Sequence, residues 1–194
     1  MRLFIALELE PSVREKLRQT LAALRLSLDA RWIRWVQPDG IHLTLKFLGE
    51  VENTRVEALK SAIEAQASQR GVCHFTVGGV GAFPNPARAR VLWVGVKDAA
   101  DGLKGLQAGL EDALGQVGFE RENRRYTPHL TLGRVRDGIG RESLAQLAQA
   151  LTESAPLEPM ETSSGTVILV RSELRPGGAV YTIMSRQGLQ GSAA

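Results

Sequence analysis

The amino-acid sequence predicts an α+β fold that is internally duplicated. The tetrapeptide HLTL occurs at residues 42–45 and again at residues 129–132, and the two copies are separated by 87 positions (129 − 42). In each half, apolar alternation and helical spacing of leucines give the order strand, helix, strand, helix, strand. We therefore expect two pseudo-symmetric lobes with antiparallel sheets lining a central cleft and helices outside.

The first repeat covers roughly residues 1–83. Its predicted elements are a strand at 3–9, a helix from Pro11, a strand at 31–36, a strand at 41–48 with the first tetrapeptide, a helix at 54–68 and a strand at 75–80. Asn53 or Thr54 is expected to cap the second helix. The proline-containing loop at 83–86 ends this repeat.

The second repeat covers roughly residues 90–186 and follows the same order. Its predicted elements are a strand at 91–96, a helix at 100–117, the strand with the second tetrapeptide, a helix at 140–151, a polar connection at 152–164 and strands at 165–170 and 179–184 joined by a turn at 175–178. His42 follows Phe4 by 38 positions, and His129 follows Leu92 by 37. We therefore treat residues 1–194 as one two-lobed domain.

The composition is that of a soluble globular protein, with 43% hydrophobic and 23% charged residues. No run approaches the ~18 apolar residues of a membrane span. The N-terminal apolar run meets Glu8 and Glu10 early, which favours a first strand over a signal peptide. The single cysteine, Cys73, excludes an internal disulfide and a multi-cysteine metal site. We expect a cytoplasmic protein with no membrane association.

Basic residues cluster around both tetrapeptides, although the net charge of +3 is too mild to require nucleic acid. The cluster comprises Arg31, Arg34 and Lys46 near the first copy and Arg121, Arg124, Arg125, Arg134 and Arg136 near the second. Cations grouped around a site raise the local concentration of an anionic substrate. A solvated basic face is the alternative interpretation of any single arginine.

The two repeated histidines are the candidate acid and base. Strand alternation places His42 and Thr44 on one face and the two leucines on the other, and the second copy repeats this. With an ordinary pKa of ~6.5, one imidazole can accept a proton while the other, protonated, donates one. Such a pair on either side of a phosphorus atom suits in-line displacement.

Three neighbouring side chains are candidates for binding the phosphate. Thr44 and Thr131 lie two residues after their histidines, so their hydroxyls share the histidine face. Arg134 would stabilise negative charge on the phosphate oxygens. The alternatives are structural histidines on half-buried strands and threonines chosen only for β propensity.

Other patterns are weaker. His74 has no repeat partner, so a structural or surface role is expected, and a Cys73–His74 dyad is disfavoured because adjacent strand residues point apart. The glycines at 78–81 lack a third glycine and a following helix, so they do not form a dinucleotide fingerprint. With three scattered histidines and one cysteine, we expect no metal site and no cofactor.

The chain resembles the two-histidine phosphoesterase superfamily, and within it the RNA 2′,3′-cyclic phosphodiesterases, also called 2′–5′ RNA ligase-like proteins. The resemblance rests on RWVQPDGIHLTLKFLGEV around the first histidine and RRYTPHLTLGRV around the second. The segments FIALEL, RVLWVGV and SELRPGGAVY also match, so it spans nearly the full length.

This resemblance implies metal-independent hydrolysis of an RNA 2′,3′-cyclic phosphate to a 2′-phosphomonoester. It implies that His42 is the proton donor and His129 the acceptor, a distinction that the repeated residues themselves leave open. Thr44, Thr131 and Arg134 match the family pattern. Because some family members also join 2′–5′ RNA ends, ligation stays open as a minor activity.

Two alternatives remain at this point. The cleft could serve a non-catalytic RNA- or nucleotide-binding module, or the enzyme could act on another cyclic phosphate, such as the ADP-ribose type. For RNA, unpaired bases are usually read by stacking aromatics. Trp35, Phe47 and Tyr126 are nominated by proximity in sequence, although a core role is favoured for them. We expect a monomer with no obligate protein partner.

Overall fold

A computed structural model describes residues 1–153, 157–176 and 178–190. The first repeat comprises β1 (Arg2–Leu7), α1 (Pro11–Ser27), β2 (Ile33–Trp35), β3 (Leu43–Glu50), α2 (Val56–Ala67) and β4 (Cys73–Phe83). The second comprises β5 (Val91–Asp98), α3 (Gly102–Gln116), β6 (His129–Val135), α4 (Arg141–Glu153), β7 (Met160–Ser164), β8 (Thr166–Arg175) and β9 (Gly178–Gly188). The predicted duplicated α+β fold is confirmed.

The described strands form one antiparallel sheet in the order β7-β4-β5-β6-β3-β1-β8-β9, with β2 pairing beside β6. This order is symmetric about the β6–β3 junction. We call β3, β1, β8 and β9 the first half-sheet and β6, β5, β4 and β7 the second half-sheet. The closing strand of each repeat therefore lies in the other repeat's half-sheet, which ties the two halves together.

The junction between the half-sheets is a single antiparallel residue pair, Leu43 with Leu130. Both leucines are fully buried. They belong to the two repeated tetrapeptides, each directly after its histidine. The pseudo-two-fold axis therefore passes between the two copies of the repeated sequence.

The two faces of the sheet differ in what covers them. On one side, alternate β1 residues such as Leu3 and Leu7 join a large core with the helices. Helix α1 begins at Pro11, whose fixed φ suits a first turn, and its buried residues are Val13, Leu17, Leu21 and Leu24. On the opposite side, Phe4, Ala6, Ile168 and Val170 form a small separate cluster. We call the helix-covered side the core face and the other the cleft face.

Two local predictions are wrong. The connection predicted at 152–164 contains strand β7, which pairs with β4; its METSS sequence gives no apolar run because it is an edge strand. Neither Asn53 nor Thr54 caps α2, because a 3₁₀ turn at Asn53–Arg55 precedes it and the N-cap is Arg55, with no side-chain capping bond.

Of the turn predicted at 175–178, Gly177 lies outside the described residues, as do 154–156 of the predicted connection. Within the described part of the chain, none of the helices has the length and apolar character needed to cross a membrane.

Candidate active site

Each repeated strand carries a β-bulge at the same place. In β3, Thr44 pairs with Ala6 but Lys46 pairs with Ile5, so Leu45 is an extra residue. In β6, Thr131 pairs with Trp93 but Gly133 pairs with Leu92, so Leu132 is extra. A bulge of this kind shifts the alternation of side chains by one position. The duplication therefore includes the irregularity as well as the sequence.

The bulge decides which residues after each threonine face the cleft. Leu45 and Lys46 are both buried, whereas Phe47 pairs with Phe4 of the cleft-face cluster. The equivalent positions in β6 are Leu132, Gly133 and then Arg134. Phe47 and Arg134 thus return to the face that carries the histidines, where strict alternation would have placed Lys46 and Gly133.

The prediction that Lys46 belongs to the cation cluster around the site is wrong. Its side chain is buried, and Nζ donates to Glu111 Oε2 at 2.6 Å and to the Glu120 carbonyl at 2.7 Å. Glu111 also accepts a bond from the Glu122 amide at 3.1 Å. Lys46 therefore fastens β3 to α3 and to the segment before β6, on the core face.

Both candidate histidines make the same hydrogen bond. Nδ1 of His42 lies 2.8 Å from the Gly40 carbonyl oxygen, and Nδ1 of His129 lies 2.8 Å from the Thr127 carbonyl oxygen. A carbonyl can only accept, so Nδ1 carries the proton in each ring. This leaves each Nε2 free for proton transfer.

The antiparallel junction brings the two histidine–threonine pairs together. Continuing the Leu43–Leu130 register by one residue places His42 across from Thr131 and Thr44 across from His129. Directly opposed residues project from the same face of a sheet, and diagonal neighbours lie about 7–8 Å apart. The two imidazoles are thus diagonal neighbours on the cleft face, with a threonine opposite each.

His42 is enclosed by aromatic rings. It makes edge contacts with Phe4 at 5.3 Å and Tyr181 at 4.9 Å between ring centroids. Gly40 permits this, because a Cβ there would lie 2.9 Å from the Tyr181 ring. Burial lowers the pKa of His42 to about 4, against the raising effect of its carbonyl partner and with a smaller lowering by the Arg14 charge. Above that pH the ring is neutral in the free protein.

His129 has a different aromatic neighbour. It makes an edge contact with Phe83 at 5.0 Å, and Phe83 in turn packs against Trp93 at 5.1 Å. The Trp93 indole occupies the space where a side chain at Gly81 would stand. The two imidazoles therefore have matching hydrogen bonds and unlike surroundings.

Sequence reasoning missed the aromatic residues that contact the histidines. Tyr181 on β9 lies 139 positions from His42 (181 − 42), and no local pattern marks it. Burial raises the pKa of the Tyr181 phenol, which the Arg134 charge partly offsets. Arg134 therefore acts electrostatically on a residue of the first half-sheet, across the cleft.

The three nominated stacking residues separate into two groups. Phe47 is 71% exposed and lies 5.9 Å from Phe4 between ring centroids. Tyr126 and Trp35 pack against the large core, and the Tyr126 hydroxyl donates to the Thr44 carbonyl at 3.1 Å. Only Phe47 is available to a ligand in the cleft.

His74 and Cys73 lie on β4, outside this constellation. His74 is exposed and lines an open groove of about 480 Å³ with Glu10, Ser12 and Glu161. Cys73 is buried, and burial raises the pKa of its thiol to about 11. No group of three or more His, Cys, Asp or Glu side chains suited to a metal ion occurs among the described residues.

Several arginines of the predicted basic cluster are neutralised locally. Arg31 pairs with Asp29 at 2.6 Å, Arg124 with Glu122 at 3.2 Å, and Arg121 with Asp112. These surface pairs lower the positive charge available to a substrate. Arg134 has no such carboxylate partner within the described chain.

Comparison with known proteins gives a family match in both halves. The model of the LigT-like phosphoesterase family matches residues 7–93 and again residues 94–181. The RNA 2′,3′-cyclic phosphodiesterase of Methanothermobacter thermautotrophicus is 34% identical, over 95% of this chain and 96% of the relative. The protein of the same name from Thermus thermophilus is 32% identical, over 98% of this chain and 91% of the relative.

Solved structures give the same result. TT0787 of Thermus thermophilus superposes with a TM-score of 0.82 at 28% identity, covering 99% of this chain and 100% of that one. The LigT protein of E. coli, solved in complex with 3′-AMP, superposes with a TM-score of 0.74 at 26% identity, covering 97% of both chains.

Proposed function

Because the chain belongs to the LigT-like phosphoesterase family, and is accordingly a hydrolase, we propose that it opens RNA 2′,3′-cyclic phosphate ends to 2′-phosphomonoesters. The observation that carries the proposal is the pair of Nδ1-anchored histidines on one face of the sheet. The relatives are named RNA 2′,3′-cyclic phosphodiesterases, which supplies the substrate class.

The proposed reaction is an in-line displacement at phosphorus. His129 Nε2 takes a proton from water, and the water oxygen forms the new bond to phosphorus. The P–O3′ bond breaks, and O3′ receives a proton from His42 Nε2, leaving a 2′-phosphate. Each step of this acid–base catalysis typically contributes ~10²–10⁴-fold. No metal ion takes part in the proposed steps.

The role of His42 as donor follows the family resemblance and carries a requirement. With its pKa lowered to about 4, the ring must gain a proton before it can act as an acid. A bound phosphate supplies the reason, because a nearby negative charge favours the imidazolium form. We therefore propose that His42 is protonated only as substrate binds.

Thr44, Thr131 and Arg134 are proposed to hold the phosphate. Each threonine lies across the sheet from the other copy's histidine, so its hydroxyl can donate to a non-bridging oxygen near either imidazole. Arg134 is on the same face and has no carboxylate partner among the described residues. A guanidinium there would stabilise the charge that builds on phosphorus oxygens during displacement.

The test is hydrolysis of a short RNA ending in a 2′,3′-cyclic phosphate, with a chelator present and the product identified as the 2′- or 3′-phosphate. His42→Ala and His129→Ala should each lower turnover by ~10²–10⁴-fold, while His74→Ala, at the third histidine, should leave it intact. A wild-type protein inactive on RNA ends and on cyclic mononucleotides would refute the proposal.

The same assay decides between the alternatives. Retained RNA binding without turnover would indicate the binding module, and turnover confined to an ADP-ribose cyclic phosphate would reassign the substrate. Incubation with RNA fragments whose ends can be joined through a 2′–5′ bond, followed by a search for the joined product, tests for the minor ligase activity. We further propose that residues 1–194 act as one two-lobed domain, because each half-sheet contains a strand of the other repeat. We also propose that the protein works as a cytoplasmic monomer.

A further inference from the structure

Among the described residues of the second repeat, no strand corresponds to β2. It pairs with the end of β6, where Ile33, Arg34 and Trp35 lie opposite Val135, Arg134 and Gly133. Beyond the Leu43–Leu130 pair, β2 therefore takes the place of β3 beside β6. This short strand borders the cleft on the side of His129 only.

The side chain of Arg34 projects from the cleft face. A Cβ on Gly133 would lie 2.7 Å from Ile33 and 3.2 Å from the Trp35 ring, so both of those side chains pack on the core face. Ile33 is buried in the main core, and the ring of Trp35 contacts Arg25 of α1. Strand alternation then directs Arg34 to the opposite face, beside Arg134.

Arg34 and Arg134 are directly opposed like charges, an arrangement that destabilises an antiparallel pair. Both are exposed, and neither forms an ion pair with a carboxylate in the part of the chain that the structure describes. Arg18, Arg31, Arg124 and Arg186, in contrast, each have an acidic partner. An external anion would relieve this repulsion.

We infer that Arg34, beside the phosphate-binding Arg134, forms a subsite for the phosphodiester that precedes the terminal nucleotide of an RNA strand. Arg134 lies about 7 Å along β6 from Thr131, two regular steps of ~3.3 Å because Leu132 is the extra residue of the bulge, and it is on the face that carries the histidines. A cyclic mononucleotide has no phosphate to place there. The subsite therefore makes RNA ends better substrates than cyclic mononucleotides, and it rests on the proposed function.

The experiment compares Arg34→Gln with wild type on two substrates, cytidine 2′,3′-cyclic phosphate and a five-nucleotide RNA ending in a 2′,3′-cyclic phosphate. The matched control is Arg31→Gln, since Arg31 is exposed but paired with Asp29. We expect Arg34→Gln to raise KM for the RNA about 10-fold, with unchanged kcat and an unchanged mononucleotide rate. The slope of log(kcat/KM) against log salt should become shallower by ~0.7, the value for one single-strand phosphate contact.

Equal losses on both substrates, or none on either, would overturn the subsite while leaving the proposed function standing. If wild type turns over neither substrate, the proposed function fails, and binding of a fluorescent RNA with a 2′-phosphate end tests the subsite separately. There, equal affinities of wild type and Arg34→Gln would overturn it. Binding of polyglutamate in preference to RNA would assign the arginine pair to an acidic protein surface and would also overturn it.

Discussion

The two copies of the repeated strand share their backbone geometry and differ in their neighbours. Directly before β3 and at the first residue of β6, a histidine Nδ1 lies 2.8 Å from the carbonyl two residues earlier, and in each strand a bulge follows the threonine. After the bulge, β3 continues with Lys46 and Phe47, whereas β6 continues with Gly133 and Arg134. The buried position thus holds a cation in one copy and no side chain in the other. The next position, which faces the cleft, holds the aromatic ring of Phe47 in β3 and the charged side chain of Arg134 in β6.

In the proposed reaction, this difference would allow a symmetric scaffold to carry out an asymmetric proton transfer. The shared part supplies two imidazoles with the same tautomer and the same orientation relative to their strands. The divergent part gives them unlike surroundings: His42 lies between Phe4 and Tyr181, and His129 lies near Phe83. A donor and an acceptor need unlike surroundings if they are to hold protons at different pH.

The largest expected effect comes from removing each imidazole in turn. His42→Gln and His129→Gln should each lower kcat by ~10²–10⁴-fold, because each removes one proton-transfer group. In the pH profile of kcat, His129→Gln should lose the acidic limb, which reports the base. His42→Gln should lose the alkaline limb, which reports the acid. The reverse pattern would exchange the two roles.

The next effect concerns the buried ion pair that only the first copy has. Glu111→Ala leaves the Lys46 ammonium buried without its partner, and we expect a loss of about 3–5 kcal/mol in the free energy of unfolding. Urea unfolding measures it. Asp112→Ala breaks the neighbouring exposed pair with Arg121 and should cost no more than ~1 kcal/mol. Similar losses in the two variants would show that burial of the Lys46–Glu111 pair does not increase its contribution to the free energy of unfolding.

The unlike surroundings of the histidines should also appear in the pH dependence of stability. The folded pKa of His42, about 4, is below the ordinary value of 6.5, so the unfolded chain binds the proton first as pH falls. The stability that depends on neutral His42 is fully present above pH 6.5 and is lost as pH falls towards 4. The loss is up to about 3 kcal/mol, since one pKa unit corresponds to ~1.36 kcal/mol.

Urea unfolding of wild type and His42→Gln at pH 7 and pH 4.5 measures this contribution. The difference in unfolding free energy between the two pH values should be smaller in His42→Gln than in wild type. An identical pH dependence in the two proteins would contradict the desolvation of this ring.

The smallest expected effect comes from Phe47, which faces the cleft in β3 where β6 has Arg134. Phe47→Ala should raise KM for an RNA end about 10-fold, because base stacking on an aromatic ring is worth ~1–3 kcal/mol. Leu26→Ala, at an apolar side chain on α1 that is 91% exposed, is the matched control and should have no effect. An unchanged KM in Phe47→Ala would remove this ring from the substrate site.

The sequence predicted the local chemistry well because that information is contiguous. The repeated tetrapeptide indicated the duplicated strands, and the leucine spacing indicated α1 and α3. The placement of Lys46 failed for a specific reason. A bulge depends on pairing with β1, where the partner of Lys46 is Ile5, 41 residues away (46 − 5), and no residue within HLTLKF signals it. The equivalent bulge in β6 put Arg134 on the histidine face, which alternation alone would not have done.

The sequence by itself determined the fold class and the two histidine–threonine pairs, because repetition and strand periodicity are read within short segments. The expected substrate chemistry came from the family resemblance. Tertiary structure decided the rest. It exchanged β4 and β8 between the halves, enclosed His42 with Phe4 and Tyr181, and set Arg34 beside Arg134. These contacts join residues that are distant in the chain, so they exist only once the sheet has formed.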